Sequence, residues 1–263
     1  MNAGMTDTPR GWGLRISGTA RFMALVAAAM AVGTIACIWA GLIAPIEGFL
    51  WFRYSVFVAA GALFVSLIAL CIHAIKKSAS MGQIAFAWVL AAPLVGYAAF
   101  FISEAQKVPA LHDITTDLAN PPQFSAIKLR DDLNRVVPDG GRAELKALTP
   151  AQRRARLHAD AYADLKPVSV AMPVAAATER LAAQARARGW EVVLVDAARG
   201  RVEATETVSI FRFSDDIVFR VEADPANPAR SIVDARSVSR VGISDVGVNA
   251  RRIRTALKEL TAG

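Results

Sequence analysis

Three long runs without a charged side chain dominate the first part of the chain: residues 22–46, 54–75 and 78–103. About 20 consecutive apolar residues cross the hydrocarbon core of a bilayer as a helix, and each run is long enough. Backbone groups in lipid have no water to bond, so a helix, which pairs them within its own segment, is the expected form. Short links carrying Glu47 and Arg53, then Lys76 and Lys77, separate the runs. Three transmembrane helices are therefore predicted. The first run is too apolar for too long to be a secretory signal and has no convincing small-residue cleavage site, so it reads as an uncleaved helix. Pro93 falls mid-run and predicts a kink in the third helix. Trp39, Trp51, Tyr54 and Trp88 are candidate interfacial anchors.

From residue 104 the pattern changes. Residues 104–148 read as irregular, punctuated by Pro109, Pro121, Pro122, Pro138 and the Gly140–Gly141 pair. Thr149 as N-cap and Pro150 at the first helical position open a polar helix over residues 150–164, with His158 expected to face solvent. A short extended piece follows, up to Met172. Val174, Ala177, Leu181 and Ala185 then recur at helical spacing, and Gly189 closes that helix. Residues 190–196 are apolar on both faces, which predicts a central strand. Residues 201–213 read as one long strand or two short ones. Residues 216–222 alternate, with Ile217, Phe219 and Val221 on one face. A loop is expected at 224–228, a last strand at 231–239, and a final helix over 245–260 with Ser244 as its N-cap. Strands in sequence flanked by helices predict an α+β domain, with an antiparallel sheet of about four or five strands packed with helices. No internal repeat is visible.

Composition sharpens this division. Hydrophobic residues make up 54% of the 263-residue chain, above the roughly 45–50% of ordinary soluble domains. Before Glu104 the charged residues are Asp7, Arg10, Arg15, Arg21, Glu47, Arg53, Lys76 and Lys77, so 24 of the 30 basic and 21 of the 23 acidic residues lie from Glu104 onward. The chain thus reads as an N-terminal flank (1–21), a three-helix region (22–103) and a water-soluble domain (104–263). Arg10, Arg15, Arg21, Lys76 and Lys77 lie on one side of the predicted spans, with Arg53 and Lys107 on the other. Cationic loops stay in the cytoplasm. The flank is therefore expected to be cytoplasmic and residues 104–263 extracytoplasmic. In a Gram-negative cell this describes a multi-pass inner-membrane protein with a periplasmic domain, whose first partner is the lipid bilayer.

The remaining net charge is too small and too interspersed to suggest nucleic acid, which selects basic patches. Cys37 and Cys71 both lie in apolar runs, so the soluble domain has neither a disulfide framework nor a thiolate metal site. The residues before Cys37 make a poor lipoprotein cleavage box. Ionisable residues inside a membrane point to function, but Glu47 and His73 lie at helix ends, and the bundle reads as an anchor rather than a conduit.

Two segments are denser in polar residues than their surroundings require. The first is His112-Asp113-Ile114-Thr115-Thr116-Asp117, followed by Asn120-Pro121-Pro122-Gln123-Phe124. The second runs from Asp234 through Arg236, Ser239, Arg240, Gly242, Ser244, Asp245, Gly247 and Asn249 to Ile253. They resemble the H-D-I-[ST]-T-D…P-P-x-F and D-x-R-S-x-S-R-x-G-x-S-D-x-G-x-N-A-x-R-I signatures of domain-of-unknown-function family 1499. The resemblance covers about residues 105–260, with no departure from either signature. It implies a domain found in bacteria and in chloroplast-targeted plant proteins, not a reaction.

The chemistry of these segments admits two readings. Arg236, Arg240 and the amides at the start of the last helix could hold an anionic ligand, such as a lipid head group, with His112 nearby. The candidate ligand set is His112, Asp113, Asp117, Arg236, Ser239, Arg240, Ser244, Asp245 and Asn249. Alternatively, Asp113 or Asp117 pairs with Arg236 or Arg240 in a network that pins the first segment to the strand–helix corner. Gly242 and Gly247 suggest unusual backbone angles or close approach. His112, Asp113 and Asp117 could also serve a metal-dependent or His-assisted hydrolase, although no G-x-S-x-G elbow accompanies them. No phosphate loop, dinucleotide fingerprint or C-x-x-C is present. The leading expectation is a non-enzymatic, membrane-anchored domain that binds an anionic ligand or another envelope protein. The alternatives are the hydrolase and an accessory subunit of a membrane complex.

Overall fold

The computed structural model describes residues 9–133 and 137–262, so residues 1–8 of the flank read as cytoplasmic lie outside it. The chain divides into two compact units, residues 1–103 and 104–263. The first holds three helices long and apolar enough to cross a membrane: α1 (Pro9–Trp39), α2 (Pro45–Lys76) and α3 (Met81–Gln106). They outrun the charge-free stretches from which they were predicted. Arg15 and Arg21 lie within α1, because a helix continues past a charge wherever that side chain can reach water. The first helix also stops earlier than expected, at Trp39, where Gly41 takes a left-handed φ of 71° before Pro45 opens α2. Pro93 lies inside α3 without ending it.

Small residues join these helices. Ala20, Ala24 and Ala27 of α1 meet Ala59 and Ala62 of α2 and Ala87 and Ala91 of α3, all fully buried. Close backbone approach through small side chains is the way apolar helices associate when lipid surrounds them. Ser17 adds a polar clasp, donating to Gln83 Oε1 at 2.9 Å. Glu47 accepts from the Ala44 N–H at 3.1 Å, and His73 Nδ1 donates to the Ala79 carbonyl at 2.8 Å. Both end-of-helix ionisable residues thus close local backbone groups.

The second unit carries β1 (Asp113–Thr115), α4 (Ala143–Lys146), α5 (Pro150–Ala161), β2 (Val168–Val170), α6 (Val174–Ala187), β3 (Glu191–Asp196), β4 (Arg201–Val208), β5 (Phe213–Asp224), β6 (Asn227–Ser239) and α7 (Val248–Ala262). The strands form one six-stranded antiparallel sheet in the order β1-β6-β5-β4-β3, and β2 also pairs with β6. The α+β expectation holds. The additional strands, β1 and β2, are three-residue pieces with no periodicity of their own. They exist because β6 is long enough to pair both of them along one edge.

Several boundaries differ from the sequence reading. β3 is not central but an edge strand. A register shift between Val192 and Leu194 interrupts its pairing, and Val193 and Val195 face solvent; bulges and charged ends such as Glu191 are how exposed edges resist further pairing. The loop expected at 224–228 is a tight connection, with Asp224 already opposite Asn227. α7 starts at Val248 rather than 245, because Val246 and Gly247 both adopt left-handed φ values (52° and 75°).

One sheet face carries the apolar core: Val202 and Ala204 of β4, Ile217 and Phe219 of β5, and Val233 and Ala235 of β6, packed against Leu181 of α6 and Ile253 of α7. The other face is polar, yet it is not solvated. Residues 116–130 bond to Glu203, Arg220, Asp234 and Arg236, whose positions alternate with the core residues. β6 is consequently buried on both sides for most of its length.

Gly200 shows how tightly the β3–β4 turn is constrained. Its φ is +63°, and a Cβ there would stand 1.9 Å from the Val221 carbonyl oxygen. The same turn accepts the Val221 N–H at 2.7 Å. Gly200→Ala is expected to destabilise the second unit by roughly 2–4 kcal/mol, from left-handed strain and backbone displacement together. Urea denaturation of the detergent-solubilised chain, followed by circular dichroism, measures it.

Candidate functional site

The two signature segments meet. β1 lies antiparallel to the last part of β6, with Asp113 opposite Val238 and Thr115 opposite Arg236. Alternation along a strand then sorts their side chains onto two faces. On the polar face, Arg236 clamps Asp113 with a fork of two bonds, Nε to Oδ1 and Nη2 to Oδ2, each 2.9 Å. Arg154 of α5 donates to the same carboxylate at 2.8 Å. Nη1 of Arg236 reaches the Pro122 carbonyl at 3.3 Å, so the proline pair of the first segment is tied to the second. The side chains of Asp113 and Arg236 are 4% and 7% exposed. Bidentate, charge-assisted pairing is the arrangement that lets two charges leave water together.

The covering segment is held at further points on this face. Thr116 donates to Asp234 at 3.1 Å, and Arg220 bridges Asp234 (2.9 Å) and Asp117 (3.4 Å). Asp117 Oδ1 accepts the N–H groups of Ala119 and Asn120, both at 2.9 Å. The Glu203 carboxylate accepts the N–H groups of Ser125, Ala126 and Ile127 and the Ser125 hydroxyl, at 2.6–3.0 Å. Burial pulls the Glu203 carboxyl upward, but these donors outweigh it and hold the group below its ordinary value. Arg130 donates to the Gly242 carbonyl at 2.7 Å, fastening the far end to the corner.

On the core side the hub is Asn249, which is fully buried. Its Nδ2 donates to Ser239 Oγ at 3.0 Å and to the His112 carbonyl at 3.3 Å, and its Oδ1 accepts from Ser237 at 2.7 Å. Arg252, also buried, donates to Asn249 and Ser237 and reaches Asp215 at 2.7 Å. Asp245 replaces Ser244 in the expected capping role. Its two oxygens accept the N–H groups of Gly247 (2.8 Å) and Asn249 (2.7 Å), whereas Ser244 accepts from Val246 at 3.2 Å. Amides at the start of α7 are thus filled by the chain's own carboxylate. Burial pushes the Asp245 carboxyl above its ordinary value, against the pull of those amides.

The nine sequence-derived residues therefore occupy one corner, but in different environments. Asp113 and Arg236 are paired with each other. Ser239, Asp245 and Asn249 are buried together. Asp117 and Ser244 are half-buried. Arg240 bonds the buried Asp216 at 2.8–3.1 Å and Thr205 at 3.0 Å, while its own side chain remains 49% exposed. His112 is buried, and its Nε2 lies 3.2 Å from the Leu133 carbonyl. His112, Asp113 and Asp117 do not converge: the Asp113 carboxylate faces Arg236 and Arg154, and Asp117 turns to its own loop and Arg220. Among the described residues no group of three His, Cys, Asp or Glu side chains could hold a metal.

His158 corrects the sequence reading. It is 2% exposed, because α5 covers the free edge of β1 and His158 Nε2 accepts the Thr115 N–H at 3.2 Å. Burial lowers the pKa of His158 and of His112 below the ordinary value; for His112 the nearby Arg130 adds to the effect. Glu203, Asp216 and Arg220 are further members of this layer that strand alternation does not single out, because their spacing between apolar neighbours is that of an ordinary solvated strand face and nothing local in sequence announces that the face is covered.

A six-stranded antiparallel sheet with helices on one face, and on the other a long segment clamped by buried ion pairs, defines an α+β domain whose signature residues are its internal fasteners. The family model described as "Protein of unknown function (DUF1499)" matches residues 113–260, and the chain belongs to that family. Neither the curated proteins nor the solved structures provide a match.

Two outcomes follow from this geometry. Arg236→Ala leaves Asp113 buried without its fork and is expected to destabilise the domain by roughly 3–5 kcal/mol; the double variant Asp113→Leu/Arg236→Met should recover most of that, and denaturant midpoints of the three proteins decide. The second concerns pH. Unfolded chains protonate both histidines below about pH 6.5, whereas the folded domain resists protonation until lower pH. Stability is therefore unaffected above that value and declines as pH falls below it, by up to about 1.4 kcal/mol per histidine per pH unit. Melting curves from pH 7.5 to 5 should show this slope, and His158→Gln should flatten it.

Proposed function

We propose that this protein is a membrane-anchored binding domain, without catalytic chemistry of its own, that works on the extracytoplasmic side of the inner membrane. The observation that carries this reading is how the signature corner is arranged. Its charged side chains turn toward one another and hold the 116–130 segment on the sheet, leaving Arg240 and the adjoining loop at Ile243 and Ser244 to reach solvent. A buried, mutually paired set of this kind favours a rigid platform over an acid–base centre, which requires a titrating group in reach of substrate. The ligand or partner, an anionic group or another envelope protein, meets the corner through Arg240 and that loop; Asp113, Arg236, Ser239, Asp245 and Asn249 frame it, and His112 and Asp117 fasten the covering segment.

The tether supports the same reading. Three long apolar helices precede the domain, and the excess of cations in the N-terminal part of the first helix and at the link from the second to the third favours a cytoplasmic N-terminus. Three crossings then export residues 104–263. Alkaline phosphatase fused after residue 263 is expected to be active and a green fluorescent protein fusion at the same point dark. The reverse pattern would put the domain in the cytoplasm and remove the envelope reading.

A further inference from the structure

The first signature segment is held from two sides, and one of them is titratable. On the β6 side the His112 carbonyl accepts the Ser239 N–H at 2.8 Å, and the Thr116 N–H donates to the Ala235 carbonyl at 2.9 Å. Alternation along the strand turns the Thr115 N–H the opposite way. There α5 stands against the outer edge of β1. Among the described residues two hydrogen bonds join α5 to β1: Arg154 to Asp113 at 2.8 Å, and the Thr115 N–H to His158 Nε2 at 3.2 Å. The rest of α5 is tied to residues close by in sequence. Arg153 donates to the carbonyls of Val137, Leu145 and Leu148, so α5 and residues 137–148 form one body.

The joint has no room for a second proton on His158. Because Nε2 accepts, the neutral ring carries its proton on Nδ1, which is buried and meets no acceptor among the described residues. A proton on Nε2 would set one N–H against another. Asp113 attracts a charged ring, but its two oxygens already hold the Arg236 fork and Arg154. Arg154 repels it. Asp164 is engaged by Arg254, and the Tyr162 ring, edge-on with its centroid 5.5 Å away, supplies no carboxylate. A protonated ring therefore keeps a partner only by displacing Arg154 from Asp113 or by leaving the edge of β1. Either way the joint opens.

We propose that His158 is a proton-operated latch: uptake of one proton detaches α5, together with residues 137–148, from the edge of β1, while the β1–β6 pairing and the Arg236–Asp113 fork stay in place. Burial keeps the ring neutral to below its ordinary value of about 6.5, against the pull of Asp113. The latch is shut at neutral pH and opens in mild acid. What it bares is the outer edge of the first signature segment, whose Thr115 N–H loses its acceptor. This opening is local, distinct from loss of the fold, and independent of the ligand or partner that meets Arg240.

Hydrogen–deuterium exchange of the full-length chain in detergent, read by mass spectrometry at pH 7.5 and pH 5 and normalised for the pH dependence of intrinsic exchange, tests it. Peptides covering 113–116 and 150–161 are expected to lose about tenfold or more of their protection at pH 5, because the open population grows up to about tenfold per pH unit below the pKa of a free histidine. Peptides in β4, β5 and α7 should be unchanged. His158→Gln, whose amide oxygen accepts the Thr115 N–H at either pH, should keep full protection, and His112→Gln should keep the wild-type response. Unchanged protection at pH 5, simultaneous loss across every strand, a response that survives in His158→Gln, or one abolished by His112→Gln overturns the inference. Should His158→Gln fail to fold, the wild-type pattern decides alone: loss confined to β1 and α5 supports the latch, and any other pattern refutes it.

Discussion

The fork between Arg236 and Asp113 is the constraint around which the second unit is arranged. Two opposite charges withdrawn from water are tolerated only with close, multiply bonded geometry, and here each partner has more than one contact: Arg154 on the carboxylate, the Pro122 carbonyl on the guanidinium. Satisfying those bonds requires β1 to lie against β6 and the segment after β1 to fold back over the sheet. A strand of three residues has little reason to form alone; β1 forms because both its edges are engaged. Its backbone pairs with β6 on one side, and its Thr115 N–H meets His158 on the other. The ion pair thus acts less as a source of stability than as a selector of register, since a one-residue slip would send Asp113 to the opposite face.

The two faces of β6 divide the work. The core face is ordinary: aliphatic side chains of three strands against α6 and α7. The other is a layer of buried charge, in which each acidic group has a guanidinium, a hydroxyl or a set of backbone amides. Glu203 is the clearest case, a carboxylate seated in three successive N–H groups. Such a layer tolerates little substitution, because removing one partner leaves another buried and unbonded. This gives a physical reason for the second signature to be long. It spans a strand buried on both faces, a corner that needs three left-handed residues (Gly242, Val246 and Gly247), and the start of a helix whose amides are filled by Asp245. In the first unit small size replaces charge as the device: fully buried alanines on three facing helices allow their backbones to approach closely.

What the sequence determined by itself rests on local, one-dimensional physics. Charge-free runs of sufficient length define three helices, because lipid admits no unpaired backbone. Period-two alternation in 216–222 and the apolar spacing in 174–185 follow from strand and helix geometry, and the glycines at 242 and 247 mark left-handed turns. The motif residues were recognisable as a group because polar density at two separated places exceeded what solubility requires. Tertiary structure alone decided the rest. β1 and β2 are too short to carry a period, and β3 is as apolar as a central strand yet lies at an edge. Glu203 and Arg220 look solvent-facing until residues 116–130 cover them, Asp216 until Arg240 and Thr205 close on it, and His158 looks exposed until its ring meets the Thr115 N–H of β1. In each of these cases the outcome depends on which distant segment supplies the partner, and pairing across more than a hundred residues leaves no trace in local periodicity.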